Sequence, residues 1–302
     1  MSISSYRGRF APSPTGPLHL GSLYTAVASY CQARANKGYW LVRMDDLDST
    51  RCRSTYASQI LNSLECFGLH YDESILYQST RSEAYQDALS TLNTKGLTYP
   101  CDCSRKELQQ RLQSNPSNIY DGHCLIHPPT NNLVSIRLSV NKQRINFEDQ
   151  IQGTNTWQLN ENLGDFIIYR KDKIFSYHLA TCIDDEEQRI SDVLRGNDLL
   201  ESTAGQIYIQ QQLRLNTPKY THIPVIVDKT GAKLSKQTFA TDVSQLNIEK
   251  TLLRVLTLLQ LAPPSYLAKC NKHEILNWAV AHWSLDQLKK RETLQENTND
   301  NE

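Results

Sequence analysis

No stretch of this 302-residue sequence approaches the roughly 18–20 consecutive apolar residues that a helix needs to cross a bilayer. The opening segment Met1-Ser2-Ile3-Ser4-Ser5-Tyr6 also lacks the apolar core of a secretory signal. Both absences point to a cytoplasmic protein with no membrane partner. Net charge is missing too: 32 Lys and Arg offset 32 Asp and Glu, so a nucleic acid must be met by a local basic face and not by a global field. Nor are the eight cysteines dense enough for a disulfide scaffold. Five of them (Cys31, Cys52, Cys66, Cys182, Cys270) are scattered singly, as reduced thiols are. No internal repeat or long apolar heptad marks an interface, and a monomer is expected. With 39% hydrophobic and 21% charged residues, the chain reads as a globular protein long enough for one large core plus an inserted or appended module.

What is present is concentrated first in Arg9-Phe10-Ala11-Pro12-Ser13-Pro14-Thr15-Gly16-Pro17-Leu18-His19-Leu20-Gly21-Ser22. An apolar and basic run, a proline-rich turn and an amphipathic pattern opening at His19 predict strand, rigid turn and helix N-terminus. The first amides of a helix lack intrahelical partners and carry its positive dipole end, which suits a phosphate. His19 and Ser22, three apart, share a face of the first turn, and Gly21 leaves room for a nucleotide. Leu20, Leu23, Tyr24, Val27, Ala28, Cys31 and Ala35 continue at helical spacing to a stop at Asn36-Lys37-Gly38. A strand, Tyr39–Met44, follows, with the acidic loop Asp45-Asp46-Leu47-Asp48 at its end. Strand, helix and strand in this order imply a right-handed βαβ unit in a parallel sheet, whose ligands bind beyond the carboxyl ends of the strands.

Helices are predicted at Thr55–Phe67 and Ser82–Thr94, closed by Gly68 and by Lys95-Gly96, and Ser104-x-x-Glu107 is a capping box. Around it, Cys101 and Cys103 are followed by Tyr120-Asp121-Gly122-His123-Cys124. Three thiols so spaced in a reducing compartment suggest tetrahedral zinc more than a disulfide. For the fourth ligand, His123 and His127 are the chemically conventional choices. Leu133–Val140, Arg144–Glu148 and Ile151–Leu159 read as strands of a mixed insertion. Asp165–Arg170 and Ile174–His178 read as a hairpin returning the chain to the main sheet, Ile190–Leu199 as a buried strand with a polar turn, and Tyr220–Val227 as the last sheet strand. Two helical patterns, Val243–Leu261 and Asn271–Leu288, precede a polar segment 292–302 expected to fray.

The Phe-Ala-Pro-Ser-Pro-Thr-Gly run with His19 resembles the first signature of class I aminoacyl-tRNA synthetases, in the form of their glutamyl branch. Ser22 stands where that motif ends in His. Lys233-Leu234-Ser235-Lys236-Gln237 resembles the second signature, a lysine loop, with Leu234 for Met and Gln237 for Ser. The family's Arg-Ile-Glu-Asp-x-Asp corresponds to Arg43-Met44-Asp45-Asp46-Leu47-Asp48, which has Asp45 in place of the longer glutamate that meets the substrate amino group. Its Phe-x-Tyr-x-Leu-Ala and Val-x-Arg-Gly-x-Asp strings recur around Tyr177 and Arg195. The resemblance therefore implies a glutamate site of Arg9, Phe10, Ala11, Pro12, Ser13, Asp45, Tyr177 and Arg195. It also implies an ATP site of His19, Gly21, Ser22 and Lys236, with Lys233 beside it and Mg2+ accompanying ATP. The planar guanidinium of Arg suits bidentate carboxylate recognition.

The Tyr120–Cys124 string resembles the zinc module of the glutamyl-Q tRNA(Asp) synthetases, which implies one structural zinc held by Cys101, Cys103, Tyr120 and Cys124. Only about sixty residues follow the lysine loop, too few for the anticodon-binding region of a glutamyl-tRNA synthetase, and this again resembles the glutamyl-Q paralogues. They activate glutamate with ATP and attach it to queuosine in the anticodon loop of tRNA(Asp). The fold so implied is α/β: Rossmann-type catalytic halves at 1–98 and 165–240, a zinc-containing α+β insertion at 99–164 and a short helical region at 241–302. The alternatives are a shortened glutamyl-tRNA synthetase charging a 3′ end, an inactive tRNA-binding paralogue and another ATP-using nucleotidyltransferase.

Overall fold

The computed structural model describes residues 5–114, 119–130, 132–227, 242–289 and 291–295. The first half runs β1 (Arg7–Phe10), α1 (Leu20–Ala35), β2 (Tyr39–Met44), α2 (Ser54–Cys66), β3 (Leu76–Tyr77), α3 (Ser82–Thr94), β4 (Thr98–Cys101), α4 (Arg105–Ser114) and α5 (His123–Ile126). There follow β5 (Ser135–Leu138), β6 (Arg144–Asp149), β7 (Gly153–Gln158), α6 (Leu159–Asn162), β8 (Phe166–Tyr169), α7 (Tyr177–Glu187), β9 (Asp192–Gly196) and α8 (Leu200–Leu213). The last elements are β10 (Lys219–Ile223), β11 (Val225–Val227), α9 (Ile248–Leu258), α10 (Lys272–Ala281) and β12 (Thr293–Gln295).

β1, β2 and β3 pair in parallel, as do β9 and β10. The two sets meet where the Ser191 N–H donates to the Arg7 carbonyl at 3.0 Å and the Arg7 N–H to Ser191 Oγ at 2.9 Å. Read across, the order is β3-β2-β1-β9-β10, with the antiparallel hairpin β6–β7 added beyond β10. The chain leaves β1 in one direction along the sheet and returns to β9 on its other side. That reversal opens a crevice at the carboxyl ends of the strands.

Period-two alternation assigns the faces. Phe10, Trp40, Val42 and Met44 point into a core shared with α1, α2, α9 and α10, while Leu41 points into a second core with α3, α7 and α8. Trp40 is fully buried, stacks 6.3 Å from Phe10 and donates its indole N–H to Ser29 Oγ at 2.9 Å. Because Arg9 pairs with Leu41 in register, Arg9 and Arg43 fall on the second face.

The boundaries predicted for α1, α2 and α3 recur within a residue, whereas the two C-terminal patterns yield shorter helices, α9 starting only at Ile248 and α10 ending at Ala281. At the end of α1, however, the left-handed residue is Lys37 (φ 52°), not Gly38. Gly38 is needed for closeness: a Cβ there would lie 2.3 Å from the Tyr6 carbonyl oxygen, which accepts the Tyr39 N–H.

Three expectations are corrected. The run Ile174–His178 is not the second arm of a hairpin: Ser176 caps α7, its Oγ accepting the Leu179 N–H at 3.4 Å, so Tyr177 begins a helix. Only an isolated bridge, Tyr169 to Phe175, remains of that pairing, and β8 joins the separate antiparallel sheet β4-β5-β8. Tyr220–Val227 is two strands split at Pro224, which has no N–H to continue a ladder. Thr293–Gln295, expected to fray, pairs in parallel with β11 and buries Leu294.

Candidate active site

The crevice is a cleft of about 660 Å³ lined at one end by Arg9, Asp45, Tyr177 and Arg195 and at the other by His19, Gly21 and Ser22, with Phe10, Ala11, Pro12 and Ser13 between. Its floor is set by backbone ties. The Asp45 N–H donates to the Pro12 carbonyl and the Arg53 N–H to the Pro14 carbonyl, both at 3.0 Å, so the proline turn and the acidic loop are fixed against each other. Tyr24 also lines the cleft, and its buried hydroxyl has no hydrogen-bond partner among the described residues.

His19 caps α1. Its Nδ1 accepts the Ser22 N–H at 3.3 Å, and its Nε2 stands 3.0 Å from Ser22 Oγ. The two side chains share a face as expected, but here they bond to each other, and the imidazole occupies one of the helix amides suited to a phosphate. Lys233 and Lys236 lie outside the described residues. Of the residues flanking that segment, Ile226 lines the cleft and Asp242 forms a bridge with His19.

Beneath the Arg9 end of the cleft lies a buried ion network that the sequence reading did not identify. Arg9 gives Nε to Asp185 Oδ1 at 3.1 Å and Nη2 to Oδ2 at 3.4 Å, and Arg43 gives Nη1 to Asp185 Oδ1 at 2.6 Å and Nε to Asp45 Oδ1 at 2.9 Å. Arg43 is wholly buried, Asp185 4% exposed and Asp45 9%. Burial pushes Asp185 up, but Arg9 and Arg43 override it and hold the carboxyl below its usual range. For Asp45 the balance reverses: burial outweighs Arg43 and Arg9, and its pKa is pushed up to about 6. Arg9 thus spends one edge on Asp185 and, among the described residues, leaves its Nη1 for the cleft that it lines. An Arg in the middle of a strand buried on both faces, and two adjacent acids in the buried stripe of α7, were the available signals.

Arg195 is held differently. It donates Nη1 to the Tyr177 hydroxyl at 2.9 Å, Nε to His222 Nε2 at 3.0 Å, and Nη2 to Thr203 Oγ1 at 2.8 Å and to the Leu199 carbonyl at 3.3 Å. His222, Asp149 and Thr203 were also missed, because they come from three different elements, β10, β6 and α8, and only the fold brings them to Arg195.

The second cluster sits apart. Cys101, Cys103 and Cys124 are buried, with all three sulfurs within 4.8 Å of one another, and could hold one metal ion. The Tyr120 hydroxyl is 3.7 Å from the sulfurs of both Cys101 and Cys103, and Cys103 and Cys124 are 3.4 Å apart. A tetrahedron of bonds near 2.3 Å to sulfur and 2.0 Å to oxygen has edges of about 3.5–3.8 Å, so the four atoms fit such an ion. Neither His123 nor His127 joins this group among the described residues. Arg137 donates Nε to Cys101 Sγ at 3.2 Å and lies 3.6 Å from the Tyr120 ring centroid. Against burial, it holds the Cys101 thiol below its usual value.

The catalytic domain of tRNA synthetases class I (E and Q) matches residues 5–292. A Glutamyl-Q tRNA(Asp) synthetase from Methylococcus capsulatus is 49% identical over 94% of this chain and 93% of its own, and one from Neisseria gonorrhoeae is 44% identical over 94% and 98%. Among solved structures, a glutamate tRNA ligase from Elizabethkingia meningosepticum, crystallised in complex with its amino acid, shares the fold with a TM-score of 0.78 at 24% identity. That likeness covers 97% of this chain and 67% of that one. Membership follows from the match over nearly the whole chain together with the cleft at the strand reversal: the protein belongs to the class I tRNA synthetases (E and Q), in the family of the glutamyl-Q tRNA(Asp) synthetases.

Proposed function

We propose that the protein activates glutamate with ATP and transfers the glutamyl group to queuosine in the anticodon loop of tRNA(Asp), acting as a cytoplasmic monomer. The observation that carries the acceptor is the near full-length identity to relatives of that name, 49% and 44%. In this reading residues 1–98 and 165–240 are the catalytic halves, 99–164 the metal-bearing insertion, which lends β6–β7 to the catalytic sheet and takes β8 into its own, and 241–302 the helical end.

The substrate carboxylates meet Arg9 and Arg195, the ammonium meets Asp45, and Tyr177 closes the pocket beside the backbone of Phe10–Ser13. The α-carboxylate oxygen attacks the α-phosphorus, the bond to the β-phosphate breaks, and pyrophosphate leaves. Gly21, Ser22 and the first amides of α1 cradle the phosphates, and His19 turns from capping to phosphate contact. Lys236, with Lys233, stabilises the charge that develops on the leaving group. Magnesium bound with ATP screens phosphate charge. A queuosine hydroxyl then attacks the activated acyl carbon and AMP departs with its phosphate.

Glutamate-dependent ATP–pyrophosphate exchange without tRNA tests the first step, and its absence would sink the enzyme assignment. For the second step, tRNA(Asp) carrying queuosine is expected to accept glutamate while tRNA(Asp) lacking it accepts none. Equal charging of both would instead indicate a 3′-end enzyme.

Zinc is the metal that three thiolates and a phenolate in tetrahedral array suit. Purified protein is expected to carry about one equivalent. Cys103→Ser should lose it and melt at a lower temperature, because binding energy at a structural site is folding energy. Less than about half an equivalent in the wild type would refute the ligand set of Cys101, Cys103, Tyr120 and Cys124.

A further inference from the structure

Arg195 has five N–H groups, and four are committed within the protein, to His222, Tyr177, Thr203 and Leu199. Among the described residues, one Nη1 hydrogen is left for the cleft. Its orientation depends on the partner of Nε, which is unusual: a histidine, not a carboxylate. The guanidinium Nε always bears its proton, so His222 Nε2 must be the acceptor, and the ring proton must sit on Nδ1. There it meets Asp149 Oδ2 at 2.7 Å. Asp149 is itself fixed, its Oδ1 accepting the backbone N–H groups of Ile151 at 3.0 Å and Gln152 at 2.9 Å. Both side chains are fully buried. Burial lowers the His222 pKa, and the Arg195 charge reinforces this against the pull of Asp149.

The choice of histidine has a chemical reason. A carboxylate at Nε would orient Arg195 equally well but would neutralise it and compete with an incoming carboxylate, as Asp185 does at one edge of Arg9. A neutral imidazole orients the guanidinium and leaves its positive charge facing the cleft.

We infer that Asp149 and His222 form a positioning pair: Asp149 selects the His222 tautomer, and His222 aims the remaining N–H of Arg195 at a substrate carboxylate. This rests on the assignment of Arg195 to glutamate. Asp149 comes from β6 and His222 from β10, so the hairpin added at the sheet edge takes part in the glutamate pocket without touching the ligand.

The test is glutamate-dependent ATP–pyrophosphate exchange, with KM measured separately for glutamate and ATP, on folded Asp149→Asn, His222→Leu, His222→Gln and Arg195→Lys. In Asp149→Asn the amide keeps its oxygen for Ile151 and Gln152 and turns its NH2 towards Nδ1, so the ring moves its proton to Nε2 and faces Arg195 with a donor. Asp149→Asn and His222→Leu should each raise the glutamate KM roughly tenfold or more and leave the ATP KM unchanged. His222→Gln, which can present an oxygen where Nε2 stood, should recover most of that loss. Imidazole 15N NMR of the wild type should show His222 protonated on Nδ1, and of Asp149→Asn on Nε2. Unchanged glutamate KM in both disrupting variants, or a wild-type ring protonated on Nε2 or on both nitrogens, overturns the pair. If Arg195→Lys also leaves the glutamate KM unchanged, the assignment of Arg195 has failed instead. If any variant does not fold, the wild-type NMR still decides the tautomer.

Discussion

Replacement of Asp185 by Ala is expected to lower the stability of the protein by about 3–5 kcal/mol. Asp185 is the shared counter-ion of Arg9 and Arg43, with three contacts of 2.6–3.4 Å in a region where these side chains are at most 4% exposed. Removing it leaves two guanidinium groups close together, with Asp45 bonded to Arg43 and Asp184 near it as the remaining acids, and Arg43 is sealed from water. The cost is that of an uncompensated buried charge and not of a surface pair. Thermal melting should shift down by about 6–20 °C, at roughly 2–4 °C per kcal/mol for a large domain. A shift under about two degrees would show that water reaches the network. Asp185→Asn is expected to do less harm, since an amide still accepts one guanidinium bond. Activity should fall with it, because Arg9 loses the contact that sets its position.

Replacement of Asp45 by Asn is the second large effect, and its sign differs between activity and stability. If Asp45 meets the substrate ammonium, the ionised form is the competent one. With its pKa raised to about 6 by burial, the wild-type kcat/KM for glutamate should be flat above neutrality and fall as pH drops through about 6. Asp45→Asn should lose about 2–3 kcal/mol of transition-state binding, roughly a hundredfold in kcat/KM, and the acid limb with it. An acid limb that persists in the variant would assign that titration to another group. Stability runs the other way. A carboxyl whose pKa is higher folded than unfolded favours the fold below its unfolded pKa, and that contribution is lost as pH rises through about 6. Ionised Asp45 is therefore a burden on the fold at neutral pH, and Asn is not expected to lower the melting temperature. The strain of holding this charge belongs to function.

Local signals in the sequence carried far. The spacing of Leu20, Leu23, Val27 and Cys31 bounded α1, the run Tyr39–Met44 bounded β2, and the proline turn before His19 located the cleft. Where local pattern misled, a competing local signal had been present. The alternation of Ile174–His178 runs through Ser176, whose capping hydroxyl begins a helix. The pairing of Thr293–Gln295 with β11 left no comparable trace, since three polar-flanked residues become a strand only when a partner supplies the ladder. The partners of the site residues were hidden for the same reason. Arg9 and Arg195 stood out in the sequence as candidate guanidinium groups for a carboxylate, but that one is neutralised on an edge by Asp185 and the other bonded to His222 depends on contacts between α7, β1, β9 and β10.

The pairing of β11 with β12 also orders events in time. Val225 and Ile226 line the cleft, yet the strand that completes their ladder is encoded about seventy residues later, after α9 and α10, which pack in the core of α1. During synthesis the ladder behind those two lining residues cannot form until Thr293–Gln295 has left the ribosome. A nascent chain that has already buried Trp40 and Cys31 would hold an unpaired strand edge at the cleft for that interval, the kind of edge that chaperones cover.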